Sequence, residues 1–155
     1  VITHSLHRRQ RVAATLEAAW DFFASPSNLA RLTPPWLKFE LLSPVPDRMH
    51  PGLLIDYRLR PVWGIPVKWT TEILEVEAPH RFLDAQSKGP YRMWRHEHWF
   101  REVPGGVEIE DRVDYALPWG ALGEPAHVYM VRPRLGSIFE FRRRTVEEIF
   151  GRLRD

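Results

Sequence analysis

The 155 residues include no cysteine, which excludes disulfides and every cysteine-ligated metal centre. No apolar run approaches the ~20 residues of a membrane-spanning helix. The opening VITHSLHRRQRV has no apolar signal core, and a cytoplasmic protein is expected. Excess charge is missing as well: 22 Lys and Arg against 20 Asp and Glu leave a formal net charge of +2. That balance gives no clustered basic signature for nucleic acid. There is no G-x-S-x-G, no phosphate-cradling glycine loop and no dinucleotide fingerprint. Without repeats or a low-complexity linker, residues 1–155 read as a single domain.

What the chain has in quantity is aromatic surface: eight Phe, seven Trp and four Tyr. A buried Trp needs a partner for its N–H, so seven of them suggest a large interior or a lined cavity. Residues 6–12 alternate as an edge strand. Thr15 is placed to cap a helix, with Glu17 in its first turn and Leu16, Ala19, Trp20 and Phe23 at helical spacing. Ser25-Pro26 opens a second short helix with Leu29 and Leu32 on its apolar side.

The period then changes from 3.6 to 2. Strands are predicted over 39–42, 53–60, 67–76, 81–86, 91–103 and 107–117, giving about seven that are mostly consecutive and hence antiparallel. Pro118 to Ala126 reads as a loop. Residues 133–153 return to helical spacing through Leu135, Ile138, Phe139, Phe141, Val146 and Ile149. Arg142, Arg143 and Arg144 read as a solvated face of that helix. Trp36, Trp63, Trp69 and Trp119 lie in or beside turns and read as core or rim packing. The layout is α+β: a sheet wrapped on one long C-terminal helix, with two short helices after the first strand.

Residues 89–100, GPYRMWRHEHWF, look too polar for a core strand and too aromatic for a loop. Alternation resolves them. Arg95, Glu97 and Arg101 share one face, which belongs to solvent, so Trp94, His96, His98 and Phe100 point inward. On the next strand Val107, Ile109, Asp111, Val113 and Tyr115 form the inner face, and Asp111 is its one charge. A turn at Val103–Gly106 sets Phe100 opposite Ile109, His98 opposite Asp111 and His96 opposite Val113. If Phe82 points inward, Asp84 and Gln86 do too. Unpaired buried polar groups cost several kcal/mol, so these side chains satisfy one another or line a wet cavity.

Three readings of the cluster stand side by side: an internal hydrogen bond between His98 and Asp111, a ligand-contacting polar patch, and a His-x-His-plus-carboxylate metal triad. The last is a pattern of low specificity, and neither metal nor cofactor is expected. A His98 general acid–base with Asp111 as its orienter is the catalytic alternative.

The stretch RRQRVAATLEAAWDFFASPSNLARLTPPWLKFE, the block DAQSKGPYRMWRHEHWF and the following DRVDYALPWGALG resemble the Bet v 1-like, START-related superfamily often labelled SRPBCC. The likeness is strongest to its bacterial cyclase/dehydrase-type branch and spans essentially the whole chain. It implies a helix-grip fold: a seven-stranded antiparallel curved sheet around a long C-terminal helix, enclosing a cavity. It implies a hydrophobic or amphipathic ligand, such as a lipid or polyketide. It carries over no shared catalytic residues. The expected ligand-binding set, from residues and resemblance together, is Asp84, Gln86, Trp94, His96, His98, Asp111 and Tyr115 on the sheet with Phe139 and Phe141 on the helix. A polyketide cyclase or dehydratase and a protein-interaction domain are the alternative functions.

Overall fold

The computed structural model describes residues 2–153. Its strands are β1 (His4–Val12), β2 (Glu40–Leu41), β3 (Leu54–Val62), β4 (Ile65–Glu77), β5 (Arg81–Lys88), β6 (Met93–Val103) and β7 (Gly106–Ala116). They form one sheet in the order β1-β7-β6-β5-β4-β3-β2, antiparallel throughout. Register shifts between Leu59 and Val62 and along β4 mark irregularities, and such bulges bend a sheet.

Antiparallel pairing gives this sheet two unlike ends. One end gathers the start of β1, the β3–β4 turn, the β5–β6 connection and the segment after β7. The other gathers the β4–β5 and β6–β7 turns and helix α1 (Leu16–Phe23). The Thr15 hydroxyl accepts the Ala18 N–H at 3.0 Å, and Leu16, Ala19, Trp20 and Phe23 are the buried face, as their spacing predicts. The second short helix is a 3-10 helix over Pro26–Leu32.

The β6–β7 register is the expected one, with His98 opposite Asp111 and Phe100 opposite Ile109. Its turn is tighter than expected: Val103 pairs with Gly106, leaving only Pro104-Gly105, with Gly105 at φ +84°. Beside it, a Cβ on Gly106 would strike the Val12 carbonyl oxygen of β1, so only glycine lets β1 lie this close.

The predicted loop after β7 is largely helical. A 3-10 turn (Gly120–Gly123), the single turn α2 (Glu124–Ala126) and a π-helical turn (His127–Val131) lead directly into α3 (Arg132–Phe150). At 19 residues α3 is about 28 Å long. Gly151, at φ +85°, turns the chain out of α3. The tail then ties back to β1 through Ala13 N–H to Gly151 O at 2.8 Å and Leu153 N–H to Arg11 O at 3.1 Å.

The interior is solid only at the α1 end. There Val12, Leu16, Trp20, Phe23, Phe82, Phe100, Ile109 and Val146 form one buried cluster. The Trp20 ring meets Phe100 edge-on at 5.5 Å. Burying a side chain such as Phe100, fully enclosed, contributes about 2–3 kcal/mol. Two smaller clusters, around Val113 and Leu135 and around Ile55 and Ile73, flank a cavity toward the other end.

Candidate functional site

Five ionisable side chains from four elements meet on the inner face: Asp84 of β5, His96 and His98 of β6, Asp111 of β7 and Arg142 of α3. His96 donates from Nε2 to Asp111 Oδ1 at 2.8 Å. His98 Nε2 lies 2.6 Å from Asp84 Oδ2. Arg142 Nη2 donates to Asp111 Oδ1 at 3.3 Å and meets His98 Nδ1 at 3.3 Å. A guanidinium only donates, so Nδ1 of His98 accepts and its proton sits on Nε2, facing Asp84. The rings of Phe82, His98 and His96 form a stack, with centroids 3.9 and 3.7 Å apart.

Expectation and observation differ in one connection. Asp111 sits opposite His98, but its short bond goes to His96, and His98 Nδ1 is 3.4 Å away. The missing partner was Asp84, which occupies His98 from the β5 side.

Burial dominates the protonation of this group. It raises the Asp84 carboxyl to about 6, with the charges of His96 and Arg142 pulling the other way. Burial, joined by the charges of His96 and Arg142, pushes His98 well below the usual imidazole value against the pull of Asp111. Burial alone would raise Asp111 too, but the Arg142 guanidinium and the bond and charge of His96 outweigh it and hold that carboxyl well below its usual range. The state at neutral pH is therefore a neutral His98 beside an ionised Asp111–Arg142 pair.

Above this group lies a cavity of about 590 Å³, within the range of small-molecule sites. Asp84, His96, His98 and Arg142 form its polar floor and Phe139 part of its helix wall. Toward the open end the walls are aromatic. Trp69 meets Trp94 edge-on at 5.4 Å, lies 5.4 Å from Tyr91 and stacks 6.0 Å from Tyr57. The Trp69 indole Nε1 is a buried side-chain polar atom with no hydrogen-bond partner among the described residues. Buried donors are nearly always paired, so this one marks a place where an acceptor belongs.

Of the expected set, Asp84, Trp94, His96, His98 and Phe139 line the cavity. Asp111 does not: it lies beneath the histidines and anchors Arg142. Gln86 clamps the β5–β6 connection, donating from Nε2 to Tyr91 O at 2.7 Å and accepting the Tyr91 N–H at 3.1 Å. Tyr115 turns to a second histidine group, its hydroxyl 2.7 Å from His127 Nε2. Phe141 is half-buried off the cavity wall, one helix step from the inward residue Arg142.

One residue departs from its sequence-based expectation and another takes a second role. Arg142 is not part of a solvated face: its side chain is 11% exposed and its guanidinium lies 5.0 Å over the Phe23 ring. The signal was spacing, since Leu135, Phe139, Arg142 and Val146 are 3 or 4 apart. Trp69 packs against the core cluster of Ile55, Tyr57 and Ile73, as its sequence reading expects, and lines the cavity as well. It shares the inner face of β4 with Thr71 and Ile73.

Among the described residues, two groups bring three possible metal-ligand atoms within 4.8 Å of one another: Asp84, His96 and His98, and His4, Glu124 and His127. In both, two imidazoles stack, His4 on His127 at 3.6 Å and His96 on His98 at 3.7 Å. Both groups are hydrogen-bonded: in the second, His4 Nε2 is 2.9 Å from Glu124.

The architecture has clear counterparts among solved structures. Ginseng major latex-like protein 151 from Panax ginseng is 11% identical over 97% of this chain and 99% of its own, with a TM-score of 0.70. Ara h 8.0201 is 16% identical over 95% and 99%, with a TM-score of 0.61. A protein from Rhodobacter sphaeroides is 24% identical over 94% and 91%, with a TM-score of 0.66. No family model and no curated protein matches the sequence. The fold is Bet v 1-like: a seven-stranded antiparallel curved sheet gripping a long C-terminal helix.

Proposed function

We propose that the chain binds a hydrophobic or amphipathic small molecule in this cavity, as a carrier or sensor. The observation that carries the reading is the combination of an apolar-walled space of about 590 Å³ with polar groups at only a few fixed points. At the floor, both hydrogen bonds of Arg142 use Nη2, leaving Nε and Nη1 to meet an oxygen of the ligand. At the aromatic end, the Trp69 indole N–H offers a second donor. A lipid or polyketide-like molecule with oxygens at two positions fits that pattern, its apolar body against Tyr57, Trp94 and Phe139.

Native mass spectrometry of the purified chain, followed by a panel of fatty acids and aromatic ketones read by displacement of a fluorescent apolar probe, tests this. Binding of one class, weakened by Trp69→Phe, is expected. A chain that carries nothing and displaces no probe with any compound would sink the reading.

A second reading is acid–base catalysis on a bound cyclic substrate. It is favoured by one observation: the Asp84 carboxyl, held near about 6, reaches the cavity, and a group poised there can give and take a proton near neutral pH. Asp84 fits this role better than His98, whose two ring nitrogens are both occupied.

A further inference from the structure

Two of the most exposed tryptophans of the chain sit in its least comfortable backbone. Trp63 at φ +50° and Gly64 at φ +69° form the two-residue turn between Val62 and Ile65. Positive φ at both positions is type I′ geometry, which favours Asn, Asp or Gly at its first residue. Trp119 at φ +69° followed by Gly120 at φ +50° repeats the pattern after β7. A bulky residue is strained in this region, and strain held without local need points to function. Burial does not offset it, because Trp63 is 82% exposed and Trp119 77%.

Both tips stand at the same end of the sheet, where Val62 and Trp119 belong to the cavity wall. Leu122, 86% exposed, and Ile65, 56% exposed, extend the apolar rim. Charge at this end is one-sided. The connecting segments 60–68, 87–93 and 117–134 hold Arg60, Lys68, Lys88, Arg92, Arg132 and Arg134 against a single acid, Glu124, and Glu124 is bonded to His4. The chain as a whole is nearly balanced, at +2, so the positive charge is concentrated around the cavity mouth.

Exposed indoles on turn tips, ringed by Lys and Arg, match the chemistry of a bilayer interface. Indoles settle at headgroup depth, and basic side chains are drawn to anionic lipid. No described helix is long and apolar enough to cross a membrane, and surface docking needs none. We infer that this end of the molecule docks on an anionic lipid bilayer through Trp63 and Trp119, setting the cavity mouth against the membrane. This goes beyond the binding reading and is tested without any cavity ligand, so either can fail while the other stands.

The test is flotation with vesicles of phosphatidylcholine alone or with roughly 30% phosphatidylglycerol. The chain is expected to float with the anionic vesicles and to be released by about 0.5 M NaCl. The double variant Trp63→Asn/Trp119→Asn is expected to lose about tenfold in vesicle affinity. Its thermal midpoint should hold or rise, because Asn suits left-handed backbone. A folded chain that floats with neither vesicle, or a double variant that floats as well as the parent, would overturn the inference. So would a size measurement showing that the tips join two copies, or that they capture a protein partner in place of lipid.

Discussion

Asp84 stands in register with His96 across the β5–β6 ladder, yet its carboxylate bonds His98, two residues along the same strand. Asp111 does the reverse from the other side: in register with His98, it bonds His96. The two diagonal bonds lock the stacked imidazoles from both flanks and commit each ring to one carboxylate.

This crossing sets a pH response. The raised Asp84 lets the folded chain keep a proton that the unfolded chain releases between pH 3.8 and about 6. Its contribution to stability is present at the acid end of that window and lost as pH rises. The lowered His98 does the opposite. Its contribution is present above its ordinary value of 6.5 and is lost as pH falls. In the parent chain the two slopes oppose each other where the two windows overlap, below about pH 6. Asp84→Asn removes one of them, so urea titrations should show stability falling with acid by roughly 1.4 kcal/mol per pH unit more steeply than in the parent.

Arg142→Met leaves Asp111 buried without its cation. Breaking a buried pair from one side costs about 3–5 kcal/mol, read as a lower urea midpoint. Arg142→Met combined with Asp111→Asn should recover part of that loss. Equal stability of the single and double variants would show that Asp111 does not depend on the guanidinium.

Trp69→Phe separates folding from binding. It deletes a buried donor that has no partner among the described residues, and leaving such a group unpaired costs about 1–3 kcal/mol. The variant should unfold at the same or a higher temperature. Affinity for a ligand that accepts the indole proton should drop about tenfold, measured by probe displacement.

Gly106→Ala tests the contact at the solid end. The new methyl would be driven into the Val12 carbonyl, and the variant should lose about 2–3 kcal/mol. The change should register in amide exchange of β1 and β7 before it reaches β4.

Much of this was legible in one dimension. Alternation on two adjacent segments, with a Pro-Gly turn between them, gave the β6–β7 register and the inward histidines. Which carboxylate each imidazole chose was not legible, because a ring extends far enough from its Cβ to reach a diagonal neighbour, and the choice depended on Asp84 arriving from a third strand. Arg142 was hidden by its neighbours. Read as a run of three arginines it looks solvated; read at steps of 3 and 4 from Phe139 and Val146 it turns inward. Tyr115 and Gln86 point as alternation says, but a histidine of the π-helical turn and a loop backbone, neither visible in the pattern, claimed their polar atoms.

The stacked rings of Phe82, His98 and His96 run from the packed half of the molecule to the open one. Phe82 rests among the side chains under α1, while His96 reaches further along the cavity lining. A lineage, or a designer, could therefore reshape the walls around Trp69 and Tyr57 to suit a new guest while the anchoring half keeps the scaffold folded.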